Sequence, residues 1–268
     1  PPPSPPSTPS PLHPYPLRPP PLPLPIPSTP LPHLRCVRAD GRILQPDKPA
    51  TAVDFTFLQD QASSSGMVSA SSTVFPPPHG AAWHYVISVD VHAPWQLTDG
   101  DLYPPLSSDA GSGAALTGWA VHSWFDGHSP TRCEHSERAI ASGCVLTRVQ
   151  SASEIPPILN TRPIMLANDT HTFDLLELAP IVHGWVLLGE VGKYVRVSRD
   201  RFEDVSFSAA GITAELSGTD GESVEVAALQ PTGAAQGSGG EGGDWIVQVK
   251  RVTFGKSGRA SVRFAAEA

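Results

Sequence analysis

From Trp83 onward the chain is a succession of short β-branched and aromatic runs cut by Gly, Pro and Asp. No window of a dozen residues carries the 3.6-residue apolar stripe of an amphipathic helix. The runs are Trp83–Val91, Trp119–Phe125, Ile140–Val149, Thr172–Leu178, Trp185–Leu188, Lys193–Ser198, Ile212–Leu216, Ser223–Leu229, Trp245–Phe254 and Ala260–Phe264. Between them lie turn sequences such as Gly218-Thr219-Asp220-Gly221 and Gly255-Lys256-Ser257-Gly258, where Gly supplies the backbone freedom a tight reversal needs. Residues 233–243 (GAAQGSGGEGG) read as a flexible insertion in a hairpin. About ten strands without a helix predict an all-β, antiparallel β-sandwich over residues 74–268.

The start of the chain is different. Of 31 prolines, 17 fall in residues 1–33, a density that forbids helix and sheet ladders and predicts a disordered, polyproline-like segment. Its PxxP spacings fit either a ligand for a proline-binding groove or a plain spacer. Residues 34–73 read as a tail: a strand, a turn at Ala39-Asp40-Gly41, a short strand, a Pro-broken crossing, an apolar stretch, then a polar mobile loop over 61–73. The chain opens on Pro, with no charged start leading into an apolar run, so no signal peptide is expected and a fragment of a longer protein is.

The 235 residues after the Pro-rich segment are enough for a real core. Charged residues make up 16%, against roughly 25% in an ordinary domain, and the net charge is −8. Four lysines and no basic run longer than two argue against a nucleic-acid partner, because neutralising phosphates takes a Lys/Arg footprint. No apolar stretch approaches the ~20 residues of a membrane-crossing helix, and no membrane partner is expected. Three cysteines are too few for a disulfide scaffold; Cys133 and Cys144 can pair and leave Cys36 free, or all three can stay reduced.

Chemistry-bearing residues are present without a diagnostic spacing. His122, His128, Cys133, His135 and Cys144 are zinc-type ligands, yet no CxxC, HxxxH or HExxH links them, and no metal or other cofactor is expected. No GxSxG elbow marks a nucleophile, and GSGG at 237–240 lacks the Lys-Ser/Thr of a phosphate loop. Paired carboxylates for glycoside chemistry could come from Asp90, Asp99, Asp101, Asp109, Asp126, Asp174 and Glu177, each equally readable as a solvated surface acid. Six tryptophans (Trp83, Trp95, Trp119, Trp124, Trp185, Trp245) suit either sugar stacking or a sandwich core. Trp119 and Trp124, five apart on one strand, point to opposite faces, so at most one of them is core. Trp95 and Trp124 are the candidates for sugar contact. Asn168-Asp169-Thr170 has the pattern of an N-glycosylation acceptor.

Several segments resemble one family. Val37-Arg38-Ala39-Asp40-Gly41-Arg42-Ile43-Leu44, followed by Pro49-Ala50-Thr51-Ala52-Val53-Asp54-Phe55-Thr56-Phe57, is similar to a "DGxIL" turn leading into a "PTRDxxF" stretch. That pair occurs in the raffinose synthase and seed-imbibition-like alkaline α-galactosidases of glycoside hydrolase family 36, where it closes the catalytic (β/α)8 barrel ahead of a C-terminal β-sandwich. Phe173–Pro180 resembles the sandwich strand that ends in a "-xPV" turn, and Trp185–Tyr194 its "PIGLxxMxN" element. Gly211–Leu216, Gly221–Val226, Asp244-Trp245 and Phe254 resemble the closing pattern.

The resemblance implies an accessory region of an α-galactosidase or raffinose-type galactosyltransferase, with 34–73 a barrel-derived tail. Its implied partners are the missing barrel of the same enzyme or an α-galactoside. Of the "RD" pair only Asp54 matches, Val53 standing where the arginine would be, so Asp54 is the one family sugar contact the resemblance implies. The nucleophile and acid/base aspartates of the family lie upstream, so no catalytic residue is expected here. Three rivals compete: a free-standing carbohydrate-binding sandwich, a scaffold module recruited through residues 1–33, and a self-contained hydrolase.

Overall fold

The computed structural model describes residues 35–58, 66–75, 81–105, 116–123, 147–149, 155, 158, 163–166, 169–231 and 245–266. The Pro-rich segment 1–33 and the insertion 233–243 lie outside them. Thirteen strands form two antiparallel sheets. The large sheet runs β1 (Lys48–Ala52), β2 (Met67–Phe75), β3 (Ala81–Val89), β7 (Asp169–Val182), β8 (Trp185–Glu190), β11 (Ser223–Pro231) and β12 (Trp245–Thr253). Three further strands join through β7: β4 (Leu116–Ser123), β5 (Thr147–Val149), which pairs with β4, and β6 (Pro163–Leu166). The small sheet is β13 (Arg259–Ala265), β10 (Gly211–Ser217) and β9 (Phe202–Ser208). The expected antiparallel, sandwich-like all-β fold is what forms.

Alternation along the strands splits the core in two. One face of the large sheet carries Trp83, Tyr85, Ala120, Leu175 and Ala179, and shares a buried cluster with Phe202, Val205, Ile212 and Phe264 of the small sheet. The opposite face carries Val68, Val86, Trp119, Val121 and Leu178, capped by Val53, Leu97, Leu102, Ile155 and Ile158 from connecting segments. The turns at 218–221 and 255–258 join β10 to β11 and β12 to β13, as read from their glycines.

Three elements depart from expectation. Residues 67–73, read as part of a mobile loop, belong to β2, and the expected boundary between 73 and 74 falls inside that strand, which pairs along its whole length with β3. Ser71 and Ser72 are buried because their hydroxyls find backbone carbonyls: Ser72 donates to Tyr103 at 2.6 Å and Ser71 to Tyr85 at 3.4 Å. Lys193–Ser198, read as a strand from its alternation, is an irregular crossing between the sheets instead. Its backbone groups are taken elsewhere: Glu190 N–H donates to the Arg196 carbonyl at 2.9 Å, and the Tyr85 hydroxyl donates to the Val197 carbonyl at 3.0 Å while accepting from the Val197 N–H at 3.1 Å. Residues 54–58, within an apolar stretch of a chain read as having no helices, form a short helix, α1, which Asp54 opens.

Candidate functional site

The residues proposed for sugar contact lie apart in character. Asp54 is exposed in the first turn of α1, a solvated carboxylate at a helix start. Trp95 is half-buried, held by a backbone bridge to Ile158 in both directions and packed against the second core cluster. Trp124 lies outside the described residues, as do His128, Cys133, His135, Cys144, Asp109, Asp126 and Asn168. Trp83, Trp119 and Trp185 are at most 3% exposed, so these three fill the core.

The other carboxylates have local duties. Asp90 Oδ1 accepts from the Thr172 N–H at 2.7 Å and from its hydroxyl at 3.3 Å. Asp101 Oδ2 accepts from Thr98 N–H and Oγ1 at 2.8 and 2.6 Å, closing a 3-10 turn over Asp99–Asp101. Asp174 accepts from the Ser123 hydroxyl at 2.9 Å.

Glu177 and His122, named separately as a possible acid and a possible metal ligand, come together in the sheet. Glu177 stands at the middle of β7, opposite Tyr85 of β3 on one side and His122 of β4 on the other. Residues in register share a face, so all three point toward the small sheet. Arg196, from the irregular crossing, reaches into the group with Nε 3.4 Å from Glu177 Oε2 and Nη2 3.5 Å from His122 Nε2. Glu177 is 1% exposed and His122 2%. Among the described residues neither Glu177 oxygen accepts a hydrogen bond.

Electrostatics follow from that burial. Removing Glu177 from water pushes its carboxyl up to about 7, and the Arg196 charge only partly opposes this. Burial, and then the nearby Arg196, hold His122 well below the ordinary imidazole range. Burial, and then Glu177, raise the Tyr85 phenol well above 10.0. On the other face His84, buried edge-on against Trp119 with ring centroids 5.1 Å apart, falls to about 3 through burial alone. A carboxyl tuned to neutrality beside a neutral imidazole has the makings of an acid–base pair. At 1–2% exposure both groups are shut off from solvent.

A second ionic group fastens the end of the sandwich. Arg201, fully buried, donates from Nε to Glu190 at 2.7 Å and from Nη2 to Glu222 at 2.5 Å, with its guanidinium carbon 5.2 Å from the Phe254 ring centre. Glu222 also accepts from Thr219 N–H at 2.9 Å and from Ala39 N–H at 3.4 Å. Arg38 donates to the Asp200 carbonyl and to Ser217 Oγ, and pairs with Asp40 at 3.0 Å. The Ala39-Asp40-Gly41 turn is thereby tied to the small sheet. Burial raises Glu190, with Arg201 partly opposing. Burial also acts to raise Glu222, but the hydrogen bonds from Arg201 and Thr219 prevail and bring it to about 2.

Sequence reasoning missed Arg196, Arg201 and Tyr85 as site members. Only the contradiction of an arginine inside an apolar alternation at Tyr194-Val195-Arg196-Val197 could have flagged the first. No family model, curated protein or solved structure matches the chain.

Proposed function

We propose that this chain is a non-catalytic accessory β-sandwich of the kind that follows the catalytic barrel in raffinose synthase-like and α-galactosidase enzymes of glycoside hydrolase family 36. One observation carries the reading. The stretch that resembles the family's barrel-closing sequence, Pro49–Phe57, forms the outermost strand of the large sheet and the helix after it. All five residues of β1 are exposed, and Phe57 is 74% exposed. Met67, at the start of β2, and Tyr103, whose carbonyl accepts from the Ser72 hydroxyl of β2, are further exposed apolar side chains. Among the described residues β1 has no strand on its outer side, and an open edge leading into an exposed Phe57 is a surface made to be covered.

In the intact enzyme that edge packs on the barrel and shapes one end of its active site, with Asp54 the residue nearest to touching an α-galactoside. The chemistry belongs to the barrel: retaining galactosyl transfer to water or to a sugar acceptor. A free-standing sugar-binding module has less support, since Trp83, Trp119 and Trp185 are core residues and cannot offer a stacking row. Incubation of the purified chain with p-nitrophenyl α-galactoside and with raffinose tests the reading. No release of nitrophenol or galactose is expected. Turnover that survives repurification and disappears on removing a single carboxylate would overturn it.

A further inference from the structure

The crossing at residues 191–198 links β8 to the small sheet and is held to the large sheet by two backbone bonds, Val191 N–H to the Glu225 carbonyl at 2.8 Å and Glu190 N–H to the Arg196 carbonyl at 2.9 Å, and by side chains. Tyr85 Oη clasps both backbone groups of Val197, and Arg196 reaches Glu177 and His122. Gly189 lets the crossing lie this close: a Cβ there would stand 2.4 Å from the Arg196 carbonyl oxygen. The fastening at Glu177 is unusual for a buried ion pair. Its separation is 3.4 Å and neither carboxylate oxygen accepts a hydrogen bond among the described residues, so the pair returns little against the cost of burying the charge.

We propose that Glu177, Arg196 and His122 form a proton-operated latch that fastens the 191–198 crossing to the large sheet, closed with its proton on Glu177 and opening as that proton passes to His122. In the closed latch a guanidinium 3.5 Å from His122 Nε2 excludes a second positive charge on the ring, and burial without hydrogen bonds disfavours the Glu177 anion. In the open latch both groups are hydrated, and an imidazole is the stronger base. The transfer balances: Glu177 loses one proton, His122 gains one, and net charge is unchanged.

The titratable and charged groups facing the latch among the described residues are Tyr85 from β3, His122 from β4 and Arg196 from the crossing. Glu190 and Lys193, next along the chain, are engaged with Arg201 and with the Val37 carbonyl. His84 lies on the other face of the sheet. The latch concerns the chain itself and does not depend on the accessory role proposed above.

Opposite signs make it testable. A carboxyl at about 7 when closed and 4.5 when open favours opening as pH rises; an imidazole at 6.5 when open and far lower when closed favours opening as pH falls. Amide hydrogen exchange, corrected for intrinsic rates, reads the opening at Val197 N–H, with β11 amides reporting global unfolding. Between pH 6 and pH 8 opening is expected to rise about tenfold in His122→Gln and to fall about fourfold in Glu177→Gln, with the wild type between them. Equal pH profiles in the two variants, or a Val197 amide that tracks the β11 amides throughout, would overturn the latch. If neither variant folds, carboxyl-carbon and imidazole NMR titrations of the wild type decide. Glu177 is expected to titrate near 7 with His122 neutral down to pH 5; a Glu177 midpoint at or below 4.5, or an imidazolium at His122, refutes it.

Discussion

Arg201 joins two ion pairs in one buried group. It is fully buried between Glu190 of β8 and Glu222 of the turn before β11, donates to the Ser217 carbonyl at 2.8 Å, and lies against the Phe254 ring. Two carboxylates around one guanidinium divide its five donors in a planar fork that lysine cannot reproduce. Arg201→Ala would strand two carboxylates, one of them buried. Urea denaturation followed by tryptophan fluorescence is expected to show a loss of about 3–5 kcal/mol, with Arg201→Lys recovering only part of it. The contrast with Arg196 is instructive. There, among the described residues, Glu177 faces the guanidinium without a hydrogen bond to its oxygens, and burial pushes it up to about 7; at Arg201 the hydrogen bonds win at Glu222 and hold it at about 2. Burial and hydrogen bonding together set these carboxyls: buried Glu190 is raised despite its bond from Arg201, and half-buried Glu222 is lowered.

At the scale of strands, close approach rather than hydrophobicity sets several positions. Gly211 opens β10 at φ 144°, and a Cβ there would lie 1.9 Å from the Phe264 carbonyl oxygen across the β10–β13 ladder. Gly211→Ala is expected to cost about 3 kcal/mol in thermal or urea unfolding, while Gly255→Ala, where a Cβ meets nothing, should cost far less. Strands of strong β-branched and aromatic character were legible in the sequence. Trp83–Val91, Ile212–Leu216, Ser223–Leu229 and Trp245–Phe254 all fall on observed strands to within two residues at either end. Those stabilised by neighbours were not. β2 is Ser- and Ala-rich, and its burial depends on carbonyls of Tyr85 and Tyr103 that no local pattern announces. β9 carries Glu203 and Asp204 and looks like a charged loop until β10 pairs with it. Tyr194–Val197 alternates like a strand, yet its backbone partners are a tyrosine hydroxyl and the end of β8. Sites were harder still. Glu177 and His122 are 55 positions apart and meet only through register on β7, whereas Asp54, singled out by resemblance, is a solvated helix-start acid.

At the scale of the sandwich, the polar groups of the two ionic clusters are enclosed, while among the described residues Phe57 and Tyr103 are the most exposed large apolar side chains. The two core clusters cover both faces of the large sheet, so the sandwich needs no partner to hide its interior. β1, with the exposed Phe57 shortly after it, joins exposed apolar surface to an edge open among the described residues. Pro49 on that strand has no backbone N–H to donate, which discourages strand-to-strand addition there. The segment that carries the barrel-closing resemblance occupies that edge. The most direct measurement mixes this chain with a separately produced catalytic barrel from a raffinose synthase-like enzyme lacking its own sandwich, and follows both by size-exclusion chromatography with light scattering. The account predicts a one-to-one complex that Phe57→Asp weakens at least tenfold, by about 1.4 kcal/mol or more. Separate elution of the two proteins, or a complex indifferent to Phe57→Asp, would contradict it.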